Sequence, residues 1–262
     1  LSAAHGQPVT GFHRIGKRIV CEFPDDLCFV LRLRIAGRLQ WKRPDAKIGG
    51  RMDLAAFDFD HGTLVLTEAS KKKRAKLHVV RGRAALADHD PGGLEPLAID
   101  EKTFVQTLKA RNHTIKRALT DPRIFSGIGN AYSDEILFAA KLPPHRWTSR
   151  LSDDEMSRLY VATQKILIEW RDALRAEVGE GWPKKVTAFR PEMAVHGKYK
   201  EPCPVCAEPV QRIAYAGNET NYCARCQNEG KLLADRGLSR LLKGDWPKTL
   251  EQLEEMKRER TE

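Results

Sequence analysis

The sequence predicts an α+β protein in which strands, helices and a metal-bound hairpin follow one another along the chain. Residues 1–97 are β-rich, residues 98–195 show helical periodicity, and residues 196–230 contain two C-x-x-C pairs. Residues 231–262 form a tail with further helical patterns. A chain of 262 residues, of which 41% are hydrophobic, can form about two domains with buried cores. We therefore expect four segments with these boundaries.

Alternating apolar residues predict strands in the first segment. In the stretch 28–35, four apolar residues share one face and two arginines lie on the other, which is the period of a half-buried strand. The apolar residues are Phe29, Leu31, Leu33 and Ile35, and the arginines are Arg32 and Arg34. Two more apolar runs, 54–59 and 64–67, flank a short loop with Gly62 and predict a tight hairpin. Cys21 and Cys28 fall in predicted strands, so we expect buried thiols in a reducing compartment.

Capping residues and apolar spacing predict four helices in the second segment. Asp100 is the expected N-cap of the first, and Ile115 belongs to a short second one. The third covers residues 132–140 after a glycine-rich turn. Ser152 and Glu155 form a capping box at the start of the fourth.

The tail predicts two helices. The first is amphipathic and contains Leu232, Leu233, Leu238, Leu241 and Leu242. Thr249 and Gln252 form a capping box before the second, which is charged. The sequence suggests no function for this tail.

The most informative motif is a pair of dithiol turns, with residues 207–222 between them. The four cysteines are Cys203, Cys206, Cys223 and Cys226. Four thiolates at this spacing predict one tetrahedral Zn²⁺ with bonds of about 2.3 Å and no open position, so its role is structural. The intervening residues suit a β-hairpin, 210–214 out and 218–222 back, that turns near Ala216 and Gly217. Two disulfides, or four unrelated buried thiols, are the alternatives.

The net charge indicates the kind of partner. Lys and Arg number 45 against 35 Asp and Glu, which leaves a formal charge of +10 and favours a polyanion. No apolar run approaches the ~18 residues of a membrane span, so no membrane partner is expected. These features predict a cytoplasmic protein that binds nucleic acid.

A glycine-rich turn offers a place for an anion. Gly127 and Gly129 let the backbone approach a phosphate, and the helix that begins near Asn130 supplies free N–H groups. The alternative is an ordinary helical hairpin with a glycine corner.

Several segments together resemble one protein family. Residues 126–135, Ser-Gly-Ile-Gly-Asn-Ala-Tyr-Ser-Asp-Glu, resemble the helix–two-turn–helix (H2TH) of the formamidopyrimidine-DNA glycosylase/endonuclease VIII family. Residues 195–203 resemble the segment that leads into that family's C-terminal zinc finger. Residues 16–19 resemble its glycine–lysine step into a strand, and residues 93–97 its interdomain linker. The resemblance covers about 11–227 and implies an N-terminal β-sandwich, an H2TH domain and a zinc-finger hairpin.

The resemblance implies a base-excision repair enzyme that flips a damaged base out of duplex DNA. In the family an N-terminal proline amine attacks C1′, the resulting iminium drives β,δ-elimination of the strand, and a neighbouring glutamate moves protons. The sequence begins Leu1-Ser2 and not Pro-Glu. We therefore expect an incomplete sandwich without catalytic residues, which binds damaged DNA only. A fragment, a misassigned start and a natural non-catalytic paralogue all fit this expectation.

Individual positions carry over from the resemblance. Lys17 matches a lysine that contacts the phosphate beside the lesion, although a solvated lysine is the alternative. Asn130 matches an asparagine that grips phosphate, and a plain N-cap is the alternative. Ile35 aligns with a methionine that fills the space left by the flipped base. Asn218 stands where the family often has an arginine, so phosphate binding there loses the charge and fork of Arg.

One basic stretch departs from the family pattern. Residues 68–76, Glu-Ala-Ser-Lys-Lys-Lys-Arg-Ala-Lys, stand where the family has its Arg–Phe wedge loop. They either follow backbone phosphates or form a solvated loop. The resemblance implies that the partner is duplex DNA with damaged bases or abasic sites. It also implies a monomeric, nucleoid-associated protein of bacterial type. The rival functions are a non-catalytic, zinc-dependent damaged-DNA-binding protein and a zinc-ribbon factor on RNA.

Overall fold

The computed structural model describes residues 2–183, 186–215, 218–234 and 243–259. It contains two compact units. Unit 1 consists of Leu1–Gly93 with Ala173–Val186, and unit 2 of Leu94–Asp172 with Thr187–Glu262. None of the helices in these ranges is both long and apolar enough to cross a bilayer.

Unit 1 is built from two antiparallel sheets, as the β-rich pattern predicts. The strands are β1 (Gly11–Ile15), β2 (Arg18–Glu22), β3 (Leu27–Arg32), β4 (Gly37–Lys42), β5 (Asp53–Phe59), β6 (Gly62–Glu68) and β7 (Lys76–Arg81). One sheet has the order β1-β2-β3-β7 and the other the order β4-β6-β5. Asp60 and His61 join β5 to β6, so the predicted tight hairpin is confirmed.

The predicted strand at 28–35 needs a correction. β3 ends at Arg32, and all its residues from Leu27 to Leu31 are buried, so it is not half-buried. Its inner residues Phe29 and Leu31 pack with side chains of the second sheet, which makes a sandwich core. Its outer face is buried as well, because helix α1 (Arg83–Ala87) lies against it. This short helix was not predicted, since five residues are too few for a periodic signal.

Several apolar side chains complete unit 1. Cys21 and Cys28 are buried free thiols, as expected. Burial raises the pKa of Cys21 to about 11. Trp182 donates from Nε1 to Leu39 O at 2.9 Å, and its ring lies tilted beside that of Trp41, with centroids 6.1 Å apart. This hydrogen bond holds the segment around Trp182 against β4.

The predicted helices lie in unit 2, except that the last helix continues past Asp172 into residues assigned to unit 1. They are α2 (Glu101–Lys109), α3 (Ile115–Thr120), α4 (Asn130–Ala139) and α5 (Asp153–Val178). The Asp100 side chain caps α2 by accepting from Thr103 N–H at 2.9 Å. Ser152 and Glu155 exchange side-chain and backbone hydrogen bonds of 3.1 and 2.9 Å, which confirms the capping box of α5. Phe104 and Phe125 stack in the core, with centroids 4.6 Å apart.

The remaining elements of unit 2 follow the helices. They are β8 (Gln211–Tyr215), β9 (Asn218–Tyr222), α6 (Ala224–Asn228) and α7 (Leu250–Arg258). Single 3-10 turns lie at Ser2–Ala4, Pro96–Ala98, Thr148–Arg150 and Lys243–Asp245. β8 and β9 confirm the predicted hairpin, whose turn at Ala216 and Gly217 lies outside the described residues.

The first predicted tail helix is wrong where the structure describes it. Leu232 and Leu233 are not helical: Leu232 N–H donates to Lys248 O at 2.7 Å and Leu233 N–H to the Tyr222 hydroxyl at 2.8 Å. Both side chains pack beside Leu250 of α7, which accounts for their apolar character. Leu238, Leu241 and Leu242 lie outside the described residues. Thr249 caps α7 as predicted, by accepting from Gln252 N–H at 3.3 Å.

Candidate nucleic-acid interface and metal centre

The four predicted cysteines meet in one cluster. Their sulfur atoms lie within 4.8 Å of one another, with Cys203 Sγ 3.8 Å from Cys226 Sγ and Cys206 Sγ 3.4 Å from Cys223 Sγ. Sulfurs at the corners of a tetrahedron around Zn²⁺ would be about 3.8 Å apart, given bonds of about 2.3 Å. All four thiols are free. The donor set and its spacing therefore fit one structural zinc ion.

Backbone hydrogen bonds shape each dithiol turn. In the first, Ala207 N–H donates to Cys203 O and Cys203 N–H to Glu208 O, both at 2.9 Å. Ala207 has a φ of 63°, a left-handed conformation that non-glycine residues seldom adopt. In the second, the Cys223 sulfur caps α6 by accepting from Cys226 N–H at 3.4 Å. Both turns thus present their sulfurs without help from a large core.

Burial affects the ionisation of these thiols. It raises the pKa of Cys223 above its ordinary value and the pKa of Cys226 to about 12. Such thiols are neutral at pH 7, whereas zinc binds thiolates, so the charge of the cation must bring about their deprotonation. Zinc binding therefore releases protons, and its affinity falls as the pH falls.

The cysteine cluster is fastened to the helical part of unit 2. Gln227 donates from Nε2 to Leu142 O at 2.8 Å and accepts from Cys223 N–H at 2.9 Å. Val195 and Val210 are buried against Cys203 and Cys223, and Phe138 of α4 packs on the same cluster. The hairpin is therefore held in place by the metal site, one buried amide and a small apolar contact.

The two helices α3 and α4 flank the predicted glycine turn. Asp121 follows α3, and its carboxylate accepts from Arg123 N–H at 2.9 Å and from the Arg123 guanidinium at 2.9 and 2.6 Å. These bonds lower the pKa of Asp121 to about 2. Gly127 has a φ of 82°, so the turn needs glycine there. Gly129 is extended, with φ −116° and ψ −177°, and any residue can adopt that conformation.

The start of α4 has no side-chain cap. The N-cap residue is Gly129, so the plain N-cap alternative for Asn130 is wrong. Asn130 is instead the first helical residue, which confirms the start predicted from the glycine turn, whereas the predicted range 132–140 began two residues too late. Its Nδ2 donates to Glu219 O of β9 at 2.8 Å. This bond ties the helix start to the zinc hairpin. Asn218 is the first residue of β9, next to Glu219, and is exposed.

A buried ionic network lies directly behind the start of α4. The Lys116 ammonium of α3 contacts the Asp134 carboxylate and donates to Ser133 Oγ at 3.0 Å and to Asn130 O at 3.3 Å. The other Asp134 oxygen lies 2.8 Å from His196 Nδ1. Burial lowers the pKa of Lys116, and the negative charge of Asp134 opposes that shift. The network therefore holds α3, α4 and the segment before the zinc finger together.

The Glu135 side chain holds the segment before the zinc finger by binding the main-chain N–H groups of that segment. Its carboxylate accepts N–H bonds from Ala194 at 2.8 Å, Val195 at 3.0 Å and His196 at 2.9 Å. Charge-assisted bonds of this kind are stronger than neutral ones. Two adjacent acidic residues of α4 thus hold the chain that leads to Cys203.

Two predicted site residues lie in unit 1. Lys17 is exposed in the two-residue turn between β1 and β2, where Gly16 has a φ of 59°. Glycine first and a residue of ordinary φ second are the pattern of a type II′ hairpin turn. Partial burial of the amine lowers the pKa of Lys17.

Ile35 is presented by a tight turn and is 86% exposed. The turn closes with Gly37 N–H donating to Leu33 O at 3.0 Å, and Arg34 within it has a φ of 61°. A Cβ on Gly37 would lie 2.1 Å from Leu33 O, so only glycine fits. Arg38 donates to Ile35 O at 2.8 Å and keeps the turn in place. The predicted face shared by Phe29 and Ile35 is wrong, because β3 ends before the turn.

The predicted site residues therefore form two groups. Gly127, Gly129, Asn130 and Asn218 lie in unit 2 with the four cysteines, and Lys17 and Ile35 lie in unit 1. Sequence analysis missed the network of Lys116, Asp134, Glu135 and His196. A signal was present, since Lys116 and the acidic pair interrupt otherwise apolar helix faces, but such charges usually point to solvent.

Comparison with known proteins identifies the family. Residues 93–178 match the model of the formamidopyrimidine-DNA glycosylase H2TH domain, and residues 200–228 match the zinc finger found in FPG and IleRS. A formamidopyrimidine-DNA glycosylase-like protein of Mycobacterium tuberculosis is 39% identical, over 58% of this chain and 96% of its own length. The formamidopyrimidine-DNA glycosylase of Heliobacterium modesticaldum is 31% identical, over 86% of this chain and 84% of its own.

Solved structures of Lactococcus lactis Fpg share the fold. Its complex with DNA containing an abasic site has a TM-score of 0.72 and 26% identity, covering 85% of this chain and 83% of that one. Its complex with DNA containing Fapy-dG has a TM-score of 0.73 and 27% identity, with the same coverage. The fold and the four-cysteine site define an H2TH and zinc-finger protein. The chain belongs to the formamidopyrimidine-DNA glycosylase family.

Proposed function

We propose that this chain binds damaged duplex DNA as part of a base-excision repair enzyme, a DNA glycosylase and abasic-site lyase that excises oxidised or damaged bases. One observation carries the proposal: the uncapped start of α4 is joined through Asn130 to the zinc hairpin. Family membership supports it, as do the Lactococcus lactis Fpg complexes with abasic-site and Fapy-dG DNA.

The start of α4 is suited to a backbone phosphate. Its N–H groups and the helix dipole attract an anion, and Gly127 and Gly129 bring no side chain in front of them. An asparagine amide has two N–H donors, of which Asn130 uses one on Glu219 O, so the other is available for phosphate. Contacts of this kind position the duplex and do not read its sequence.

The other predicted residues take complementary roles in the proposal. Asn218 donates hydrogen bonds to phosphate from the hairpin. Lys17 contacts a phosphate near the lesion, and exposed Ile35 fills the space that a flipped base leaves. Zinc acts only on structure, by holding the hairpin that positions Asn130.

Binding is tested by fluorescence anisotropy with three labelled 20-mers: a duplex with one tetrahydrofuran abasic analogue, the intact duplex and the single strand. We expect tightest binding to the abasic duplex and a Kd that rises with salt as counterions are released. Equal affinity for abasic and intact duplexes would contradict lesion recognition. Preference for the single strand, or for RNA, would contradict the proposal as a whole.

Catalysis is tested by borohydride trapping on an abasic-site duplex. The proposal places no catalytic residue within residues 1–262, so the chain alone should give no covalent adduct. The same chain preceded by a family N-terminal segment that begins Pro-Glu should give one, because the proline iminium is reduced to a stable amine. An adduct with the chain alone would mean that an internal amine is the nucleophile.

A non-catalytic damaged-DNA-binding protein is the second candidate. An extended chain that binds abasic duplex tightly but gives no adduct would support this candidate over the enzyme.

A further inference from the structure

One end of the unit 1 sheets gathers three chain segments. The strand register places the Gly16–Lys17 turn, the end of β3 and the start of β7 at the same end of the first sheet. At this end the chain crosses from one sheet to the other twice, once from β3 to β4 and once from β6 to β7. Gly37 at the start of β4 pairs with Glu68 at the end of β6, so the two crossings are neighbours. Ala69 N–H donates to Ala36 O at 3.3 Å, so the two connections are also joined.

These segments are rich in positive charge. We call them the basic end, residues 16–18, 32–38 and 68–76. Their cationic residues are Lys17, Arg18, Arg32, Arg34, Arg38, Lys71, Lys72, Lys73, Arg74 and Lys76, and their one acidic residue is Glu68. Burial and the neighbouring charges of Arg34 and Arg18 lower the pKa of Arg32, as expected where like charges crowd. Asp53, which β5 brings to the same end, already accepts N–H bonds from Gly49 and Gly50.

The loop that carries most of this charge is fixed from within. Glu68 is only 1% exposed, and its carboxylate accepts N–H bonds from Arg74 at 2.7 Å and Ala75 at 2.9 Å. Lys71, Lys72, Arg74 and Lys76 are exposed. Lys73 is exposed too, but its ammonium donates to the Glu68 main-chain oxygen. One buried acid thus organises the backbone while the surrounding cations face solvent.

We propose that the basic end is a second phosphate-binding element for duplex DNA, and that Glu68 is its positioning residue. A buried carboxylate that binds the loop's own N–H groups is not expected of a merely solvated charge run. The element includes Lys17 and the turn with exposed Ile35, so cations and an apolar side chain that suits a gap in a base stack lie at the same end of the sheets. The ligand chemistry is the phosphate backbone on both sides of such a gap. This inference rests on the proposed function and extends it to residues 68–76.

The first test removes three exposed charges of the loop and leaves Lys73, which donates to Glu68 O, in place. K71A/K72A/R74A is compared with a matched triple on exposed positions of α2 and α5, K102A/R158A/K165A, which removes the same charge. The probe is the abasic-analogue duplex at several salt concentrations. We expect the loop triple to weaken binding roughly tenfold and to lower the log–log salt slope by about 2 to 3. The matched triple should change the slope by less than about 1.

The second test separates positioning from general stability by a double-mutant cycle. E68Q alone should weaken duplex binding several-fold and speed hydrogen exchange at the Arg74 and Ala75 amides. E68Q added to the loop triple should cause no further loss, because the charges that Glu68 positions are already gone. A loss of equal size in both backgrounds would mean that Glu68 only stabilises the fold.

The outcomes distinguish this inference from the function on which it rests. Equal effects of the two triples would overturn the inference, since net charge alone would then explain them. If the loop triple binds as tightly as the wild type, the inference is also wrong, while lesion binding by the wild type still supports the proposed function. If the wild type does not distinguish abasic from intact duplex, the proposed function itself fails.

Discussion

The H2TH and zinc region of unit 2 and the basic end of unit 1 support their exposed groups in opposite ways. In unit 2, the supporting groups are buried charges and a metal site: Lys116 with Asp134, Glu135 with three N–H groups, and the four cysteines. In unit 1, the cations themselves are largely exposed, and one buried carboxylate, that of Glu68, holds their loop. Substitutions in unit 2 should therefore change stability and binding together, whereas exposed positions of unit 1 should change binding alone.

The largest expected effect comes from the zinc site. C223S, or removal of zinc with a chelator, should unfold the hairpin and lower affinity for abasic duplex more than ~100-fold, since structural zinc contributes ~10 kcal/mol or more to folding. Anisotropy and zinc content by atomic absorption give the measurement. C28S is the matched control, because that thiol is outside the cluster. Unchanged binding by zinc-free C223S would break the link between hairpin and function.

The buried ionic network should give the next largest effect. D134A leaves the Lys116 charge buried without its carboxylate and should lower the free energy of unfolding by about 3–5 kcal/mol, measured with urea. K116M/D134A removes both charges and should recover part of that loss. Additive losses in the double variant would show that the two residues do not act as a pair.

In the same region, the contribution of Asp121 to stability should depend on pH. The folded pKa of about 2 lies below the ordinary value of 3.8, so its contribution to stability is present above about pH 4 and is lost as the pH falls through about 2. At 1.36 kcal/mol per pKa unit the shift corresponds to about 2.4 kcal/mol, and solvent screening at the exposed Arg123 partner lowers this. D121N should therefore be about 1–2 kcal/mol less stable at pH 7 and no less stable near pH 2. Urea unfolding at pH 7, 4 and 2.5 measures this. A deficit that does not change with pH would assign it to packing.

The smallest effect is expected at Lys17, where a substitution should change DNA binding without changing stability. K17A should leave the urea midpoint unchanged, weaken duplex binding a few-fold and reduce the salt slope by about 1, as loss of one phosphate contact requires. K102A, on the exposed surface of α2, serves as the control. A lower midpoint for K17A would remove the distinction between the two regions.

The sequence predicted the zinc site and the order of elements because their signals are local. Cysteine spacing, capping residues such as Asp100 and Ser152, and the loop before Gly62 each act within a few residues. Long-range pairing was not predictable in the same way. The burial of both faces of β3 depends on a five-residue helix packed from elsewhere, and Leu232 and Leu233 are apolar because they meet α7.

In the candidate site, too, local signals were predictable from the sequence and long-range contacts were not. Asn130, Gly127 and the cysteines were singled out from their motifs. Asp134 stands in the same motif as Asn130, but only the fold brings Lys116 and His196 to it. The capping role considered for Asn130 was wrong, because a residue of β9 offers its amide a carbonyl oxygen. Glu68 was seen only as part of a basic stretch, since nothing in the sequence distinguishes a buried acid from an exposed one.

The hydrogen bond from Asn130 to Glu219 O has a consequence for metal exchange. If the same asparagine binds phosphate, zinc and DNA become ligands of one coupled system, and each must raise the affinity of the protein for the other by the same factor. A bound duplex would then raise the concentration of a competing chelator needed to remove half of the zinc at equilibrium. The N130A variant would lose that protection while it keeps its four cysteines.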